Sequence, residues 1–86
     1  MSGYSISFAR SARRELERLP ERTAIRILSK IETLAVDPRP RGCKKIQGST
    51  SLWRIRIGDY RVIYEVDDDA AVVDVNIVRH RTEAYR

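Results

Sequence analysis

Tyr4-Ser5-Ile6-Ser7-Phe8 alternates apolar and polar residues, the period of a strand with one buried face. From Phe8 the period lengthens. Phe8, Ala12, Leu16 and Leu19 recur at helical spacing with Arg13, Arg14, Glu17 and Arg18 on the other side, which predicts a helix capped by Ser11 and ended by Pro20. Ala24, Ile27, Leu28, Ile31, Leu34 and Ala35 make a second stripe, predicting a helix from about Glu21 to the break at Asp37-Pro38. Two helices joined so closely form a hairpin.

Between Pro38 and Ser51 the apolar period disappears, and Pro38-Arg39-Pro40-Arg41-Gly42-Cys43-Lys44-Lys45 reads as a basic loop rich in helix breakers. From Leu52 the period is two. Leu52 to Ile57, Tyr60 to Val66 and Ala71 to Val78 are predicted strands, turned at Gly58-Asp59 and at Asp67-Asp68-Asp69. The resulting order is a strand, a helical hairpin and a three-stranded antiparallel sheet: an α+β fold with the helices on one sheet face.

A two-residue turn at Gly58-Asp59 fixes the register of the strands beside it. Ile57 pairs with Tyr60, Arg56 with Arg61 and Arg54 with Ile63, so Trp53, Ile55, Tyr60, Val62 and Tyr64 share the apolar face. Arg54, Arg56 and Arg61 then stand together on the other. Opposed arginines repel, and two explanations compete: Glu65 or Asp74 on the same face neutralises them, or the face binds a polyanion. Pairing Val66 with Ala71 across the acidic turn sets Asn76 beside Arg61 and brings Arg79, His80 and Arg81 back towards Gly58-Asp59. Lys44 and Lys45 approach the same region from the basic loop.

Charge strengthens the second explanation: 17 Lys and Arg against 12 Asp and Glu give a net charge of +5 in a chain of 86 residues. Such a balance suits a phosphate backbone. One small domain over 1–86 is expected. A lone Cys43 excludes an internal disulfide, and with His80 as the one histidine there is no His/Cys cluster for zinc, so neither metal nor other cofactor is expected. No apolar run approaches the roughly 20 residues of a membrane span, and the first residues lack the order of a signal peptide, so the expectation is a cytoplasmic protein.

Leu52-Trp53-Arg54-Ile55-Arg56-Ile57-Gly58-Asp59-Tyr60-Arg61-Val62-Ile63-Tyr64, followed by His80-Arg81-Thr82-Glu83-Ala84-Tyr85-Arg86, resembles the RelE/ParE toxin superfamily. The resemblance covers nearly the whole chain. It implies a toxin with a cognate antitoxin protein, whose RelE-like members cut messenger RNA on the ribosome without a metal. In that reaction a ribose 2′-OH attacks the adjacent phosphate and the 5′-oxygen leaves.

The resemblance places Arg61 at the arginine that stabilises the transition-state phosphate, Arg81 at the arginine linked to leaving-group protonation, and Tyr85 at the tyrosine that orients the substrate. Tyr85 either stacks on an unpaired base or packs back on the domain. Arg54 and Arg56 fall where family members carry lysines, the second being the general base. An arginine gives up its proton poorly, which makes Arg56 a good clamp and a doubtful base. His80, of the residue type that titrates near neutrality, is either the missing acid-base group or a surface histidine. Lys44, Lys45, Arg54 and Arg79 complete the expected RNA-binding set. ParE-like members inhibit DNA gyrase without nuclease activity, and that is the alternative function.

Overall fold

A computed structural model of the protein describes residues 3–82. Two helices cover one face of a single sheet, in the α+β arrangement expected. The strands are β1 (Ser5–Phe8), β2 (Lys44–Lys45), β3 (Leu52–Ile57), β4 (Tyr60–Asp67) and β5 (Val72–His80); the helices are α1 (Arg10–Arg18) and α2 (Glu21–Glu32). In the sheet the order is β1-β5-β4-β3-β2, one strand more than the pattern predicts. The addition is β2, where the basic loop lies antiparallel against β3 with Lys44 opposite Arg54 and Lys45 opposite Trp53. Two charged residues carry no alternation to announce a strand.

The helices form where expected but are held differently. Ala9, not Ser11, occupies the position before α1, and its N–H donates to the Val75 carbonyl at 2.8 Å. Ser11 lies inside the helix and its hydroxyl donates to the Asn76 carbonyl at 3.2 Å. α2 stops at Glu32, and a 3₁₀ turn (Thr33–Ala35) carries the chain to Asp37. Ala12, Leu16, Ile27, Ile31 and Leu34 from the helical layer meet Ile55, Val62, Tyr64, Val73, Val75 and Val78 of the sheet. Each fully buried aliphatic side chain contributes about 1.5–3 kcal/mol.

The β3–β4 pairing is the one expected, from Ile57 opposite Tyr60 through Arg56 opposite Arg61 to Arg54 opposite Ile63. β5 is displaced. Asp67 pairs with Val72 and Val66 with Val73, where the expectation was Val66 with Ala71. The turn is longer than three aspartates suggest because Ala71 takes φ 57 and the Asp67 carboxylate accepts from the Ala70 N–H at 3.0 Å. A left-handed alanine leaves no glycine signal in the sequence. A bulge follows: Tyr64 faces Val75 and Ile63 faces Ile77, so Asn76 is the extra residue. Arg61 therefore stands opposite Arg79, not beside Asn76. Without that extra residue the alternation would turn Arg79 into the core and Val78 out of it.

β1 lies parallel to β5, with Ser5 opposite Val72 and Phe8 opposite Val75. Across the open end of the sheet, the loop after the 3₁₀ turn is fastened in two places. The buried Tyr64 hydroxyl donates to the Pro38 carbonyl at 2.7 Å, and burial pushes that hydroxyl well above the ordinary tyrosine range. Arg39 forks onto Asp68 at 2.8 and 3.2 Å, while Tyr4 donates to the same carboxylate at 2.7 Å. Arg39 also lies 5.2 Å above the Trp53 ring, a cation–π contact. Among the described residues no helix is long and apolar enough to cross a membrane.

Candidate functional site

On the sheet face away from the helices, strand alternation lines up Arg54 and Arg56 of β3, Arg61 of β4 and Arg79 of β5. The β3–β4 turn closes one end of this face. Gly58 takes φ 60 there, which glycine adopts at no steric cost and which gives a two-residue hairpin the right twist. Asp59, the other turn residue, holds the chain leaving β5: its carbonyl accepts from the Arg81 N–H at 2.7 Å and its carboxylate lies 3.7 Å from the Arg81 guanidinium. Arg81 thus reaches the turn although it lies beyond the strand.

Arg56, Arg61 and Arg81 line one cleft of about 260 Å³, floored by Gly58, Asp59 and Tyr60. Among the described residues the charged groups lining it are these three arginines and Asp59. A second depression of about 150 Å³ continues along the face between Arg54, Arg61 and Arg79. Lys44 joins Arg54 and Arg56 around a third of about 330 Å³. The acids considered as neutralising partners are held further along the sheet. Glu65 and Asp74 stand opposite one another, Glu65 accepting from the Ser51 hydroxyl at 2.9 Å and Asp74 from the Ser7 hydroxyl at 2.8 Å.

His80 and Lys45 do not join this group. His80 pairs with Tyr60 and so shares its side of the sheet; the two rings meet edge to face with centroids 5.2 Å apart. Its Nδ1 lies 2.9 Å from the Thr82 hydroxyl and accepts from the Thr82 N–H at 3.3 Å. Lys45, opposite Trp53, alternates away from Arg54. Tyr85 lies outside the described residues. No group of three or more His, Cys, Asp or Glu among the described residues can hold a metal ion.

One cation beside the cleft escaped the sequence reading. The Arg26 guanidinium of α2 covers the outside of the Gly58 turn, so close that a β-carbon on Gly58 would lie 3.1 Å from it. The signal was the recurrence of Arg22, Arg26 and Lys30 every fourth residue.

The sequence and the fold have counterparts. Residues 6–85 match the family described as the ParE toxin of the type II toxin-antitoxin system, parDE. The chain is similar to toxin RelG of Mycobacterium tuberculosis, at 30% identity over 84 residues, covering 96% of this chain and 97% of that protein. It is similar also to toxin RelE of the same organism, at 31% identity over 84 residues, covering 96% and 87%. Its fold superposes on a chain of the archaeal RelE-RelB complex from Pyrococcus horikoshii with a TM-score of 0.81 and 30% identity, over 94% of this chain and 97% of that one. This chain belongs to the RelE/ParE toxin superfamily of type II toxin-antitoxin systems.

Proposed function

We propose that the protein is a ribosome-dependent endoribonuclease that cuts messenger RNA and so arrests translation. The observation that carries this is the convergence of Arg56, Arg61 and Arg81 on one cleft. The 2′-oxygen of a ribose bonds to the adjacent phosphorus as the bond to the 5′-oxygen breaks, leaving a cyclic phosphate and a free 5′-hydroxyl. Charge builds on the phosphoryl oxygens during the exchange. Arg61, between Arg56 and Arg79, and Arg81, held at the turn by Asp59, supply guanidinium donors for that charge. Arg81 also stands to return a proton to the leaving oxygen.

Arg56 serves as a clamp, because a guanidinium releases its proton poorly. The 2′ proton then passes to a group of the ribosome-bound complex. An exposed cleft on so small a domain does not itself impose in-line geometry, and fixing that geometry is worth several kcal/mol, about 7–11 at best. Free RNA is therefore a poor substrate. The family resemblance gives Tyr85 the further role of stacking on a base. A cognate antitoxin, of the kind the RelE-RelB complex contains, binds the toxin and obstructs the arginine face.

A second reading draws on the ParE family match: a gyrase-binding toxin without nuclease activity. Primer extension on mRNA from translating ribosomes, run beside a gyrase supercoiling assay, separates the two. The expected result is codon-positioned cuts with the parent protein and a loss of about 100- to 1000-fold in rate with Arg61→Ala or Arg81→Ala. Intact mRNA with inhibited gyrase would establish the second reading.

A further inference from the structure

The outer face of α2 is built against its own stability. Arg22, Arg26 and Lys30 recur every four residues, about 6 Å apart along the axis at 1.5 Å per residue, and no Asp or Glu lies three or four positions from Arg26 or Lys30. Like charges so spaced repel. The ion pairs among the described residues, Arg39–Asp68 and Arg81–Asp59, leave this stripe untouched.

Two grooves run along the flank between α2 and β3. β2 covers β3 only at Trp53 and Arg54, so beyond Arg54 this flank has no further strand upon it among the described residues. One groove, of about 420 Å³, lies between Arg26, Lys30 and Arg56 and reaches Gly58. The next, of about 330 Å³, shares Lys30 and Arg56 and adds Arg41, Lys44 and Arg54. Among the described residues neither is lined by an acidic or an aromatic side chain. Arg56 and Gly58 also line the arginine cleft, so the track is continuous with it.

We propose that this flank is a second binding track for RNA, in which Arg26 and Lys30 hold phosphates of the strand outside the cleft and take no part at the reacting bond. The proposal rests on the reading of the cleft as an RNA site. Continuity with the cleft, and the fact that every charged side chain described in the lining is cationic, favour a phosphodiester backbone. The absence of a stacking side chain makes recognition independent of base sequence.

The test is binding of a short 2′-O-methylated single-stranded RNA, which cannot be cut, to the full chain across a salt series. Each phosphate contact contributes about 0.7 to the slope of log affinity against log salt for single strands. The double variant Arg26→Gln, Lys30→Gln is expected to lower the slope by about 1.4, and Arg26→Lys with Lys30→Arg to restore it. On ribosomes the double variant should raise KM several-fold while kcat stays within about twofold. A parental slope in the double variant, a fall in kcat at unchanged KM, or no measurable RNA binding by the parent overturns the track. So does a conservative pair that fails to restore the slope, which would assign Arg26 to packing over Gly58. An unchanged slope with weakened antitoxin binding would give the face to an acidic protein instead. If the parent cuts no mRNA on ribosomes the nuclease reading fails, while the salt slope still reports on the track.

Discussion

Arg81 and His80 are adjacent in the chain and face different surroundings: Arg81 lines the cleft, while His80 rests its ring on Tyr60 and takes the Thr82 N–H at Nδ1. On the proposed function His80 would act by position, its Nδ1 contact with Thr82 bracing the turn from which Arg81 extends. His80→Gln is expected to slow cleavage by loosening that turn while leaving the shape of the pH–rate profile unchanged. Single-turnover rates over a pH series check this. Disappearance of an inflection near neutrality in the variant would return His80 to acid-base work, for which the usual effect is about 100- to 10,000-fold. The sequence brought His80 to the correct end of the sheet. It did not show the face, because one bulge upstream reverses the alternation for every later residue.

At the scale of elements, the β3–β4 hairpin was legible in full because a two-residue turn and an unbroken apolar period leave a single register. β5 was not, since neither a left-handed Ala71 nor a bulge at Asn76 has a composition that marks it. The loop from Pro38 was legible as a loop and no further; its order comes from the distant partners Tyr64 and Asp68. Tyr64→Phe leaves the buried Pro38 carbonyl without its donor and should lower stability by about 1–3 kcal/mol at neutral pH, measured by urea unfolding. Asp68 gives the pH dependence of the same loop. Hydrogen bonds from Arg39 and then Tyr4 hold its carboxyl below the usual carboxylate range. Its contribution is complete above the unfolded value, near 4 for an aspartate, and is lost as pH falls through the lower folded value. Asp68→Asn should therefore shift the unfolding midpoint at pH 7 and converge with the parent in strong acid. A difference that persists undiminished in acid would remove the carboxylate from the account.

For the whole molecule, whose net charge is +5, Arg54, Arg61 and Arg79 on the sheet's open face and Arg26, Lys30 and Lys44 on the α2 flank form a cationic belt that suits an acidic antitoxin segment. Co-expression with a cognate antitoxin should restore growth and yield one stable complex on a sizing column. Growth arrest that persists, with the two chains eluting apart, would count against such a partner. The superfamily's arginine motif was legible across the molecule, whereas the contribution of α2 was not, because a cation stripe on a helix gives no hint of the strand edge beside it.

The parallel pairing of β1 with β5 also sets a timetable for the protein's birth. β1 is the first of the five strands to be translated and β5 the last, and β5 lies between β1 and β4 in the finished sheet. Until β5 has left the ribosome, β1 has no strand to pair with, the core lacks Val73, Val75 and Val78, and neither Arg79 nor Arg81 has reached Arg61. Contacts between residues so far apart in the chain also form slowly. A partly made chain therefore carries no completed arginine cleft, and whatever that cleft binds is first met by a finished chain.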